Sequence, residues 1–266
     1  MLQHYQDEIV IQEVLKHRIL QPCVGTRKLL IMMKDFAKEH QFDLGRDNFF
    51  DLLREHKLLI RKRKRKAQTT FSKHMFWKYK NLIKEVKPLS PNQLWVSDIT
   101  YIGTADRFSY LSLVTDAYSR RIIGFYLSPT LEAIGPVKAL EMAFKDAGDI
   151  SNLIHHSDRG VQYCCYEYVK ILTGKNVRIS MTENGDPLEN AIAERINGIL
   201  KEELLKVRYD DFKKAEISIA RAVLTYNSLR PHSSCDMLTP DVAHQREGLL
   251  KKHWKSYYKK KEVLIE

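Results

Sequence analysis

Between residues 93 and 128 the chain sets down three strand-forming runs with almost nothing between them. "QLWVSDITYI" (93–102) alternates in hydropathy and is rich in β formers. "FSYLSLVTDAY" (108–118) follows the turn "GTADR", and "RRIIGFYLS" (120–128) comes directly after. Strands this close in sequence pair antiparallel through short turns. Beyond them the pattern alternates. A helix is predicted over "LEAIGPVKALEMAFKDAG", with Val137, Leu140 and Phe144 on one face and Pro136 near its start. Then come a strand in "NLIHHSD", a helix near 165–173, a strand "VRISM" (177–181), a long helix from about 188 to 207 and a last helix over about 211–229. The order βββαβαβα implies a mixed five-stranded sheet covered by helices, an α/β fold with its first and fourth strands side by side.

The first 66 residues read differently, as a small helical region. Leu29, Leu30, Met33 and Phe36 recur at helical spacing in "GTRKLLIMMKDFAKEH". After the polar break "QFDLG", the stretch "RDNFFDLLREHKLL" repeats the pattern with Phe49, Phe50, Leu52 and Leu53. Two helices about a glycine-containing turn fit a helix-turn-helix. The second would be the recognition helix, with Arg46, Asp47 and Asn48 at its N-terminal end near base edges. An ordinary helix pair fits the shape as well. The run Arg61, Lys62, Arg63, Lys64, Arg65, Lys66 directly after it favours DNA.

Residues 67–90 lack periodicity and end in "KPLSPNQ", a linker before a domain at 91–245. Residues 246–266 form a basic tail, in which "LKKHWKSYYKKK" interleaves lysines with Trp254, Tyr257 and Tyr258. Over all 266 residues, 44 Lys and Arg face 33 Asp and Glu, a net charge of +11 that favours a polyanionic partner. The four cysteines show neither C-x-x-C nor zinc-finger spacing, which fits reduced thiols in a cytoplasmic protein. Residues 1–20 mix polar and apolar residues throughout and predict no signal peptide, and no 18-residue apolar run predicts a membrane span.

Three acids occupy unusual places in this plan. Asp98 lies inside the first strand, where an unpartnered charge is costly. Asp158 ends the fourth strand, ahead of Arg159 and Gly160. A turn accounts for Asp and Gly there, and so does a ligand site at a strand end. If the first and fourth strands are neighbours, the two carboxylates are close and need a cation, for which Mg2+ with its preference for oxygen is suited. Glu194 lies in the long helix. Ile192, Ile196, Ile199 and Leu200 make its apolar face, while Asn190, Glu194, Asn197 and Lys201 form an opposite stripe. Solvated stripes more often carry only charged residues, so two asparagines suggest that this one faces a site.

These motifs resemble the catalytic core of insertion-sequence transposases and retroviral integrases. "WVSDITYI" resembles the strand of the first acid, "HHSDRGVQY" the second-acid motif, and "SMTENGDPLENAIAERINGILKEEL" the helix of the third. The 35 residues between Asp158 and Glu194 match the spacing of the group, and "YNSLRPHSSCDMLTP" (226–240) resembles its closing segment. Together they point to the third insertion-sequence family, specifically its second reading-frame product, over roughly residues 20–245. Cys235, Met237 and Glu189 depart from the usual residues, and none of them is one of the acids.

The resemblance implies a ribonuclease H-like fold in which Asp98, Asp158 and Glu194 hold two Mg2+ ions, with Mn2+ able to substitute. It implies metal-dependent cleavage and strand transfer at the ends of a mobile element, without a covalent protein–DNA intermediate. Lys201 would contact the end DNA. His156 would either orient an acid or phosphate or pack as a strand histidine. Implied partners are double-stranded DNA (terminal inverted repeats and target), further copies of the chain, and an upstream reading-frame product fused to it or assisting it. A nuclease of the same fold without strand transfer, or a silent DNA-binding copy, are the rival readings.

Overall fold

The computed structural model describes residues 2–60, 75–84, 86–105, 107–183 and 187–254. The basic run at 61–66 and the tail beyond Trp254 lie outside them.

Four helices come first: α1 (Leu2–Leu20), α2 (Thr26–Met32), α3 (Lys34–Glu39) and α4 (Arg46–Glu55). Their apolar stripes meet in one core, where Val10, Val14, Val24, Leu29, Met33, Phe49 and Leu53 are buried. The single helix predicted across "GTRKLLIMMKDFAKEH" is divided at Met33 into α2 and α3. The ladder still runs through the division, because Met33 N–H donates to Leu29 O and Ala37 N–H to Met33 O. The division is therefore a kink within one helical path.

The remaining chain forms β1 (Leu94–Thr104), β2 (Arg107–Asp116), β3 (Ile122–Ser128), α5 (Ile134–Lys145), β4 (Ile154–Ser157), α6 (Val161–Cys164), α7 (Tyr166–Gly174), β5 (Arg178–Met181), α8 (Ala191–Ile199), β6 (Arg208–Tyr209), α9 (Phe212–Leu229) and α10 (Pro240–Ala243). The sheet order is β3-β2-β1-β4-β5. The hairpins β1–β2 and β2–β3 are antiparallel, and β4 is parallel to both β1 and β5. The predicted five strands gain a sixth, β6, parallel to the far end of β1 through Gly103↔Arg208 and Thr104↔Tyr209. Two residues carry no periodicity, so sequence pattern does not reveal such a strand.

Side-chain alternation along β1 divides the core. Trp95 and Ile99 face α5 and α7, in a core with Leu140, Leu153, Tyr168 and Leu172. Ile102 faces α8 and α9, in a core with Ile196, Ile199, Ile219 and Tyr226. Helix α5 presses closely on the sheet: a Cβ on Gly124 of β3 would overlap the carbonyl oxygen of Ala139. The predicted long helix after β5 is three segments in sequence, a 3-10 turn (Pro187–Asn190), α8, and a π turn (Leu200–Leu204) closed by Leu205 N–H to Leu200 O at 2.8 Å. Among the described residues, no helix is long and apolar enough to cross a membrane.

Candidate active site

The pairing of β1 with β4 sets the site. Their register runs Leu94↔Ile154, Trp95↔His155 and Val96↔His156, and then the two strands stop pairing. Asp98 lies two residues past Val96, and Asp158 two residues past His156. The two acids are therefore level with each other where the parallel strands part, the kind of place where ligands collect in α/β sheets.

The segment from Asn190 to Lys201, with α8 at its centre, lies along β1 beyond its pairing with β4 and makes three hydrogen bonds to that strand. Asn190 Nδ2 donates to Ser97 O at 3.0 Å. Asn197 Nδ2 donates to Asp98 Oδ2 at 2.7 Å. Lys201 Nζ donates to Thr100 Oγ1 at 3.2 Å. The polar stripe thus faces the sheet, and Asn190 and Asn197 are buried. Glu194 sits between them in the first turn of α8 with its side chain exposed. The two asparagines were the signal in the sequence; that Asn197 holds Asp98 follows only from the structure.

Electrostatics tie the acids together. Burial, then the charge of Asp158, raises the Asp98 carboxyl to about 7; Glu194 adds to this, and hydrogen bonds from Asn197 and the Ile99 N–H oppose it. Burial lowers the pKa of Lys201, and the neighbouring Asp98 partly restores it. The donors are all carboxylate oxygens, which suits a hard divalent cation, and their mutual repulsion is what a cation relieves. Among the described residues, no three His, Cys, Asp or Glu side chains are already gathered into a metal-holding group. The acids feel one another's charge without forming a closed cage.

Gly160 does not owe its place to an unusual backbone angle. Its φ is −62°, open to any residue. A Cβ there would lie 3.0 Å from Asp158 Oδ1, which accepts the Gly160 N–H at 2.9 Å. The missing side chain leaves room for the Asp158 carboxylate. His156 is fully buried, its Nδ1 2.8 Å from Ser180 Oγ, and burial holds the ring down at about 4 against the pull of Glu189. These surroundings are those of a packed strand histidine. On the other face of β4, His155 Nε2 is within hydrogen-bond reach of Ser97 Oγ and Tyr168 OH, at 2.8 and 2.9 Å.

Arg46 and Asn48 belong to the helical unit, exposed on the first turn of α4, where Arg46 Nε donates to Asp47 Oδ1 at 2.8 Å. The closing segment packs against the start of β3. Tyr226 OH donates to Arg120 O at 2.9 Å, while Asn227 exchanges two hydrogen bonds with the main chain of Ile122. Arg230, buried in the same segment, grips Glu203 through Nε and Nη2 at 2.8 and 2.9 Å. Sequence pattern gave no hint of that pair.

Two family models, each described as an integrase core domain, match residues 88–187 and 175–240. A 31 kDa protein of the insertion element IS600 from Shigella sonnei is 32% identical over 225 residues, which is 84% of this chain and 81% of that protein. The transposase InsF for insertion sequence IS3A from Escherichia coli is 37% identical over 155 residues; the match spans 57% of this chain and 53% of the transposase. Among solved structures, a chain of the simian T-cell lymphotropic virus intasome in complex with PP2A regulatory subunit B56 gamma superposes with a TM-score of 0.53 at 19% identity. That match covers 89% of this chain and 76% of the other.

Proposed function

We propose how the acidic site works from the premise that the chain belongs to the third insertion-sequence family of DDE transposases, integrase-core enzymes of DNA transposition. Asp98, Asp158 and Glu194 are its metal ligands, and the ends of an insertion sequence are its substrate. The observation that carries this reading is the register Val96↔His156, which sets Asp98 level with Asp158 under the helix that bears Glu194. Two divalent cations, Mg2+ by the hardness of the donors with Mn2+ substituting, would supply Lewis-acid stabilisation of an in-line phosphodiester displacement.

The side chains divide the remaining work. Asn197 fixes the Asp98 carboxylate by a hydrogen bond to Oδ2, leaving rotation of that acid restricted before substrate arrives. The Gly160 N–H does the same for Asp158 Oδ1. Lys201 sits beside Asp98 on the Glu194 helix and offers its ammonium to a phosphate next to the scissile bond. Residues 1–66 serve as the DNA-binding unit, with Arg46 and Asn48 toward bases and Arg61 to Lys66 toward phosphates, and residues 91–245 as the catalytic domain. The basic tail adds non-specific phosphate contacts. The chain acts as an oligomer on DNA in the bacterial cytoplasm at the nucleoid, fused to or assisted by an upstream reading-frame product.

The test is Asp158→Asn, which keeps shape and removes charge. Cleavage of end-repeat DNA in Mg2+ should vanish while end binding is retained; cleavage comparable to wild type would refute the assignment. Adding a target plasmid and looking for joined products separates a transposase from a nuclease that only cuts.

A further inference from the structure

Glu203 lies among buried cations and joins three parts of the chain. It lies on the π turn that continues the Glu194 helix. Arg230, from the closing segment, donates to both of its carboxylate oxygens, at 2.8 Å from Nε and 2.9 Å from Nη2. Lys28, from α2 of the helical unit, donates to Oε1 at 2.8 Å. The side chains of Arg230, Glu203 and Lys28 are 1%, 13% and 18% exposed. A main-chain bond runs beside the triad, from Cys23 N–H in the α1–α2 turn to Glu203 O at 3.1 Å. Arg195, next to Glu194 on α8, is near enough to act on Lys28. The α1–α2 corner therefore rests on the far end of the helix that carries the third acid, about 13 Å along from Glu194 at 1.5 Å per residue.

A buried ion cluster is a poor means of adding stability, since well-packed apolar residues do as well or better. Its directional hydrogen bonds do favour one placement. Arg230 takes one acceptor position on each carboxylate oxygen, and Lys28, reaching from α2, fills the second position on Oε1.

We propose that Lys28, Glu203 and Arg230 are positioning residues that seat the helical unit on the Glu194 helix, so that a DNA end held by that unit enters the acidic site in one register. The inference rests on the reading of the helical unit as the end-binding part. Lys28 points inward to Glu203 and is not one of the phosphate contacts.

The experiment uses the full chain and two duplexes of equal length, one carrying the element's terminal repeat and one of random sequence. Lys28→Met removes the helical unit's cation and leaves the Arg230–Glu203 pair intact. Expected are near wild-type melting, near wild-type affinity for the end duplex, and unchanged nicking of the random duplex. Cleavage at the end should fall at least about tenfold, or scatter over neighbouring phosphates, as for a substrate displaced by about an ångström. Lys28→Arg should restore both rate and cut position. Lys28→Gln is the second variant, read in the same way if Lys28→Met melts early. Wild-type rate at the wild-type phosphate in the variant overturns the proposal, and so does a loss of end affinity, which would place Lys28 on the DNA surface. If the wild-type chain itself binds both duplexes equally, the end-binding reading fails, whatever the variants do.

Discussion

Replacing Glu203 by glutamine should destabilise the protein far more than replacing Lys28 by methionine, although the two residues share one ion pair. Burial alone would raise the Glu203 carboxyl, but hydrogen bonds and charge from Arg230, then Lys28, outweigh it and hold the group down at about 2 against an ordinary 4.5. At about 1.4 kcal/mol per pH unit, its ionised form contributes about 3 kcal/mol. Because the folded value is depressed, that contribution is full above about pH 4.5 and is lost as pH falls toward 2. Lys28 has the opposite balance. Burial, then Arg230, pushes it from 10.5 down to about 8, with Glu203 resisting and Arg195 adding. Holding it charged costs about 3 kcal/mol below pH 8, relieved as pH climbs from 8 toward 10.5. At neutral pH Lys28 is therefore held charged against its surroundings. Methionine at 28 should then cost little. Glutamine at 203 leaves Arg230 and Lys28 buried without an anion, with Arg120, Arg195 and the neutral His232 as surroundings, at about 3–5 kcal/mol. Thermal melting at pH 7 should register a drop of about 10 °C for Glu203→Gln, at 2–4 °C per kcal/mol for a chain of this size. A Glu203→Gln melt indistinguishable from wild type, or a larger loss for Lys28→Met, would refute the reasoning.

Three further outcomes are expected. Lys201→Ala should weaken end-DNA binding and cleavage with melting unchanged; affinity measured at two salt concentrations checks this, and no change at either removes Lys201 from the DNA surface. Gly124→Ala should cost about 1–3 kcal/mol or more, because the new Cβ overlaps the Ala139 carbonyl and forces α5 off β3; an unshifted urea midpoint would contradict that packing. Neutralising three of the six cations at 61–66 should weaken binding to all sequences alike and flatten the salt dependence by about 0.9 per lost contact; a fall confined to the element's own ends would point to base recognition instead.

The catalytic domain was largely readable because its strands carry strong local patterns and its acids stand in conspicuous places. Asp98 is legible as a charge amid β formers, and the stripe on α8 because two asparagines replace the charges of a solvated face. What was not readable is set by partners distant in sequence. Glu203 sits in "KEEL", which looks like the exposed end of any helix, and its partners are 27 and 175 residues away. Gly160 reads as turn chemistry, yet its absent Cβ makes room for Asp158. The π turn at 200–204 leaves no mark in the apolar spacing, and β6 is too short to show any period.

The parallel pairing of β1 with β4 also bears on the order in which the parts of the site come together. The β1–β2 and β2–β3 hairpins close short loops and form early, whereas Val96↔His156 closes a loop of about sixty residues, the slow kind of contact. Glu194 follows Asp98 out of the ribosome by roughly 5–20 s at ordinary rates of synthesis. Through that interval the nascent chain carries residues 1–66 without Glu194. On the reading proposed above, such a chain would bind nucleic acid before it could cut, and a product that terminated before α8 would compete for DNA without damaging it.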